Sequence, residues 1–201
     1  MKVRLPTIYI AATNCSAHVA DRLMDWVNPY VFNEIYNIGA HHSYSQKYNI
    51  ANFQAKHVGD IIAKHVGEFD DTLGVILSNT GSGLCLFANA HSHIRAATIT
   101  AHKENKALVK QTRIKMVNNV LVIPTEGRND SLFCKRASAL IDIFAGTDLS
   151  RIPADKLVQT IKIMTHRNCP DFQKLWIEEP ASLLPDCRLY KRLTANQDAT
   201  K

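Results

Sequence analysis

Short apolar runs alternate with amphipathic stretches over the first 145 residues of the chain. Thr7 to Ala12 (TIYIAA) is β-branched and apolar on both parities, the pattern of a strand covered on both faces. Asn14, Cys15 and Ser16 follow as candidate capping side chains, and Val19, Leu23 and Val27 then recur at helical spacing over Ala17 to Val27. Val31 to Ile38 predicts a second strand. Gly39 to Asn49 is polar and aromatic without a period and predicts a long loop. Phe53 to Val66 predicts a helix with Val58, Ile61, Ile62 and His65 on one stripe, and Leu73 to Leu77 (LGVIL) predicts a buried strand. After a polar turn come a short helix over Leu84 to Ala90, a strand over Ile94 to Ile99, a helix over Lys103 to Lys115 and a strand over Val117 to Ile123. Phe133, Ala137, Leu140, Ile141 and Phe144 line a last helix. Strand and helix alternate five times, which predicts a parallel sheet with helices on both faces joined by right-handed crossovers.

The pattern changes after Gly146. Asp155 to His166 predicts a helix with Leu157, Ile161 and Met164 in register, and Pro170, Pro180 and Pro185 then punctuate a segment that carries Trp176. The expected organisation is an α/β domain over 1–146 and a helical C-terminal extension with a polar tail over 147–201. Trp176, flanked by Leu175 and Ile177, reads as an anchor for that extension or as part of a subunit interface.

Composition narrows the classes. The chain has 201 residues, 46% of them hydrophobic and 21% charged, with eight Gly and seven Pro, which is globular and far from low-complexity or collagen-like sequence. No apolar run reaches the roughly 20 residues that cross a bilayer, so neither a membrane partner nor a targeting segment is expected and the expected location is cytoplasmic. Five cysteines, widely spaced and without a C-x-x-C pair, argue against a disulfide framework and a zinc ribbon. A net charge of +6 permits polyanion contact, but the basic residues are scattered and often sit beside acids. Nucleic acid is therefore not expected as a partner, whereas a small anion such as a sugar phosphate fits the same balance.

Ser78 to Gly83 (SNTGSG) joins an apolar strand to a short helix. In doubly wound sheets a ligand sits beyond the carboxyl ends of the strands, where a glycine turn lets backbone N–H groups approach an anion at a helix N-terminus. Only Gly81 and Gly83 are glycines, so the dinucleotide pattern G-x-G-x-x-G is absent, as is the lysine of a P-loop.

The run G-V-I-L-S-N-T-G-S-G-L-C-L-F-A-N-A from Gly74, followed by H-S-H-I-R-A-A, resembles the signature of the ribose-5-phosphate isomerase type B and galactose-6-phosphate isomerase family. Gly74, Thr80, Gly81, Gly83, Ala88, Asn89, Ile94, Arg95 and Ala96 occupy matching places, Asn119-Val120-Leu121 matches the family's N-V-L, and the likeness runs from Ile8 to about Ala145. The resemblance implies a flavodoxin-like, doubly wound, five-stranded parallel α/β/α sandwich. It also implies an intramolecular oxidoreductase that interconverts an aldose phosphate and a ketose phosphate through a cis-enediolate, with no cofactor and no metal. The family needs a base between C1 and C2, donors for the oxyanion, a group for ring opening and cations for phosphate.

By position, Ser78 takes the place of the family's catalytic cysteine, Asn79 that of a glycine, and Thr13-Asn14 that of an Asp-His pair. Lys115 falls at the ring-opening histidine if an insertion of about one helical turn follows Arg95. The expected catalytic residues are thus Ser78, Thr80 and Lys115, and the expected substrate-binding residues are Thr13, Asn14, Asn79, Gly81, Ser82, Gly83 and Asn89. The expected assembly is a homodimer or homotetramer, with a hetero-oligomer containing a paralogue as the variant. The alternative is a non-catalytic member, a sugar-phosphate-binding or partner subunit that keeps the fold and the turn.

Other candidates have plainer readings beside the functional ones. Nine histidines invite a metal, with His91-x-His93 the best pair, but no Cys, Asp or Glu cluster accompanies it. His41 and His42 lie in the long loop, and His57 and His65 lie on one helix. Arg95 caps or pairs as readily as it binds a ligand. The lysines and Arg113 of Lys103 to Lys115 read as a solvated helical face.

Overall fold

Strands that are apolar on both parities can be satisfied only between two helical layers, and the chain builds that arrangement. A computed structural model describes residues 5–39, 51–67, 71–149, 152–153 and 155–156. The strands are β1 (Thr7–Ala12), β2 (Glu34–Gly39), β3 (Thr72–Ser78), β4 (Ala96–Thr98) and β5 (Val120–Pro124). The helices are α1 (Ala17–Met24), α2 (Ala51–His65), α3 (Ser82–Ala88), α4 (Lys106–Met116) and α5 (Ser131–Gly146), with 3-10 turns at Asn14–Ser16 and Lys103–Asn105. Apart from Asp155 and Lys156, which are helical, the expected helix over Asp155 to His166 lies outside the described residues, as do the extension beyond it and most of the loop over Gly39 to Asn49.

All pairings are parallel and the sheet order is β2-β1-β3-β5-β4. The five-stranded parallel α/β sandwich is the expected fold class; against the flavodoxin order 2-1-3-4-5, the last two strands are exchanged. Right-handed crossovers assign the faces. Leftward steps from β1 to β2 and from β4 to β5 put α1 and α4 on one face, where α5 joins them over Ile8, Ile10, Val75, Leu77, Leu121 and Ile123. Rightward steps from β2 to β3 and from β3 to β4 put α2 and α3 on the other, over Ala11, Ile76, Val120 and Val122. α2 and α3 pack closely because Gly59 has no side chain: a Cβ there would lie 3.1 Å from the Ala88 amide nitrogen.

Two sequence expectations shift at the N-terminal edge of the sheet. Val117 to Asn119 is not strand. Val117 ends α4 in the left-handed region (φ 50°), and Asn118 and Asn119 turn their side chains inward. The Asn119 side chain accepts from the Arg95 amide at 2.7 Å and donates to His93 O at 2.8 Å and Gly67 O at 3.0 Å. Arg95 and Arg113 are fully buried there. Arg95 donates to Val117 O at 2.7 Å and His93 O at 3.1 Å, while Arg113 donates to Asn118 O and stacks over Phe144. The carbonyls at the C-terminus of α4 carry partial negative charge and suit the two guanidinium groups. Both arginines therefore brace the main chain, which corrects the solvated reading of Arg113.

Candidate functional site

The site is set by the exit directions of three adjacent strands. β1, β3 and β5 are neighbours, and their following helices leave to alternate faces: α1 to one, α3 to the other, α5 back to the first. Both flanks of the β3 end are therefore switch points, where diverging helices leave a crevice beyond the carboxyl ends of the strands. The Ser78 to Gly83 turn occupies that place.

Main-chain bonds tie the three strand ends together. Thr13 N donates to Leu77 O at 3.0 Å, Thr125 N to Ser78 O at 2.6 Å, and Glu126 N to Asn79 O at 2.9 Å. Gly81 then turns the chain with φ +77° as the N-cap of α3; a Cβ there would lie 2.9 Å from Pro124 and 3.1 Å from Thr98. Both the left-handed backbone and the close approach demand glycine. The carbonyl of Gly81 accepts the first helical bond, from Cys85 N at 3.0 Å, and no side chain caps α3. Among the described residues, the amides from Thr80 to Leu84 have no acceptor within the protein. These orphan donors lie at the N-terminal, positive end of α3, the part of a helix that favours an anion.

Hydroxyl and thiol groups line the β1 and β5 sides. Ser16, expected to cap α1, makes no cap bond; its hydroxyl instead lies 3.0 Å from that of Thr125. The Thr13 hydroxyl lies 3.2 Å from the exposed thiol of Cys15. Ser78 and Thr13 are mostly buried at the strand ends, and Asn79, Thr80 and Ser82 are exposed on the turn. Thr13, the Asn14 backbone, Ser78, Asn79, Thr80, Gly81, Ser82 and Gly83 are thus brought to one edge of the sheet.

Two expected site residues stand apart. The Asn89 side chain closes on the main chain of Ala96, accepting from its amide at 2.8 Å and donating to its carbonyl at 3.0 Å, so the carboxamide holds α3 to β4. Both ends of the amide are engaged by the main chain of Ala96. Lys115 is exposed in the last turn of α4, which precedes the start of β5, and so lies at the opposite edge of the sheet from Ser78. The histidine pair is also absorbed by packing: His91 Nε2 lies 3.0 Å from Asp60 Oδ1, and His93 Nε2 lies 2.8 Å from Ala63 O. Among the described residues no group of three metal-ligating side chains gathers, and no helix is long and apolar enough to cross a membrane.

Sequence reasoning missed the β5 loop. Thr125, Glu126, Gly127 and Arg128 close a tight turn, with Arg128 N donating to Thr125 O at 2.8 Å, directly against Ser78 and Asn79. Glu126 and Arg128 pair at 3.0 Å. The available signal was the polar run T-E-G-R-N-D at the end of an apolar strand, which marks a site only once β5 is known to lie beside β3.

Fold and turn together define a class: a three-layer parallel α/β protein with unsatisfied amides at a double switch point. The chain belongs to the Ribose/Galactose Isomerase family, whose model matches residues 8–161. Solved structures share the fold. Ribose-5-phosphate isomerase B from Mycoplasma genitalium, with bound ribulose-5-phosphate, is 19% identical with a TM-score of 0.58, over 82% of this chain and 98% of that one. The type B ribose 5-phosphate isomerase from Trypanosoma brucei is 20% identical with a TM-score of 0.57, over 80% and 97%. That of Anaplasma phagocytophilum is 20% identical with a TM-score of 0.56, over 81% and 99%. No curated protein matches the chain.

Proposed function

We propose that the chain binds a phosphorylated sugar beyond the ends of β1, β3 and β5 and interconverts its aldose and ketose forms through a cis-enediolate. The observation that carries this reading is the set of amides from Thr80 to Leu84 that find no acceptor among the described residues. Preorganised N–H donors stabilise an oxyanion without reorganising as charge develops, which favours the enediolate over the neutral sugar. Family membership supplies the substrate class. In this reading Thr80 and the amides after it hold the enediolate oxygen, Ser78 borders the proton-transfer position, and Thr13 and Asn14 line the β1 side. Lys115, at the far edge of its own sheet, serves ring opening only at the turn of a second copy, in a homodimer or homotetramer.

Incubation with pentose and hexose phosphates in deuterated water tests the proposal: deuterium is expected at C1 or C2 of at least one sugar. A second reading is favoured by Ser78 itself, whose hydroxyl is a much weaker proton acceptor than a thiolate. On that reading the chain is a binding or partner subunit, and a sugar phosphate raises the melting temperature with no deuterium incorporated.

A further inference from the structure

The enediolate reaction needs a base stronger than the Ser78 hydroxyl, and the loop after β5 carries a carboxylate, Glu126. Glu126 follows the end of β5 with its amide 2.9 Å from Asn79 O, so the residue is fastened to the turn itself. Its φ is +51°, and Gly127 behind it has φ +73°. Positive φ at both central positions is the signature of a type I′ turn, which favours Asn, Asp or Gly; a long L side chain there is strained. Strain of this kind gathers where a side chain has a task. The carboxylate lies 3.0 Å from Arg128, and both are half exposed. Asp130, the other carboxylate of this loop, is already engaged: it caps α5 by accepting from Phe133 N at 2.7 Å.

We propose that Glu126 is the catalytic base of the aldose–ketose interconversion, held in place by Arg128; this rests on the sugar-phosphate reading above. The carboxylate takes the proton from the carbon beside the carbonyl. The C–H electron pair becomes the C=C bond of the enediolate, and the carbonyl oxygen takes the negative charge facing the Thr80 to Leu84 amides. The resulting carboxylic acid returns the proton to the neighbouring carbon, and the hydroxyl proton moves from one oxygen to the other, so neither atoms nor electrons are gained or lost.

The test uses the full chain and the deuterium assay with the same sugar-phosphate panel, alongside ligand-induced thermal stabilisation. Glu126→Gln is expected to lower exchange at least about 100-fold, the scale of a lost general base, while keeping the stabilisation. Glu126→Gly removes the left-handed strain, so it is expected to fold at least as well as the parent and still lose exchange. Glu104→Gln, in the exposed 3-10 turn before α4, is expected to behave as the parent. Parent-like exchange in either Glu126 variant overturns the assignment, and so does loss of stabilisation together with exchange in Glu126→Gln. A parent chain stabilised by sugar phosphate but devoid of exchange overturns the base and leaves the binding reading standing; neither stabilisation nor exchange overturns both.

Discussion

The two edges of the sheet are both crowded with polar groups, and they dispose of them in opposite ways. At the N-terminal edge Arg95, Arg113, Asn118 and Asn119 are buried, and their side chains bind main-chain carbonyls and amides of the loops around them, with Asn118 Oδ1 lacking a hydrogen-bond partner among the described residues. At the C-terminal edge the amides from Thr80 to Leu84 have no acceptor among the described residues, and Thr13, Ser16, Ser78 and Thr125 stand at or just beyond the neighbouring strand ends. Burial of a polar group is costly unless it is paired, so the first edge is polar because the loops need bracing. The second stays polar with its donors unspent. Unspent donors at a switch point, and not polarity as such, mark the candidate site.

Asn119 holds the N-terminal edge together more than any other single side chain there. Asn119→Leu removes three hydrogen bonds at a fully buried position and strands the Arg95 amide and the Gly67 carbonyl, while the His93 carbonyl keeps its bond from the Arg95 side chain. Unsatisfied buried groups cost about 1–3 kcal/mol each, so a loss of about 3 kcal/mol is expected by urea titration, with residual folded protein still binding sugar phosphate. An effect on binding without one on stability would reverse the roles assigned to the two edges.

Gly81→Ala acts at the other edge. Its left-handed backbone and the 2.9 Å approach to Pro124 are expected to cost about 2 kcal/mol and to abolish ligand-induced stabilisation, because the turn must shift to admit the methyl group. Retention of the stabilisation would show that the turn is not the binding element.

The smallest effect sharpens the contrast from outside both edges. Asp142 on α5 has its carboxyl pushed above the usual carboxylate range by burial, against weaker opposing contributions from the Asn28 amide and Lys106. The folded state therefore holds its proton more tightly than the unfolded chain. Stability contributed by the protonated form is full below the ordinary carboxylate range and is lost as pH rises through the folded value. Asp142→Asn is expected to flatten that fall in denaturation midpoint between acid and neutral pH and to leave sugar-phosphate binding unchanged; an unaltered profile would refute the assignment.

Much of this was legible in the sequence, for identifiable reasons. TIYIAA and LGVIL are apolar on both parities, and only a central parallel strand accommodates that. SNTGSG announces the turn because Gly81 is one of the few residues able to adopt its backbone. Strand order was not legible: nothing local in Val120 to Pro124 says that β5 inserts beside β3, and without that adjacency the Thr125 to Arg128 loop looks like any polar connection. Asn89 and Arg95 mislead in the same way, since a side chain that braces a main chain and one that binds a ligand read alike until their partners are seen.

Sugar-phosphate binding at this site requires the amides of the turn to receive an anion, and isotope-edited NMR reads them one by one. Titrating the uniformly 15N-labelled chain with ribulose-5-phosphate is expected to move the Thr80, Gly81, Ser82, Gly83 and Leu84 amide resonances along saturable curves sharing one dissociation constant, with the Asn118 and Asn119 amides still. Unmoved turn resonances, or shifts centred on the opposite edge of the sheet, would contradict it.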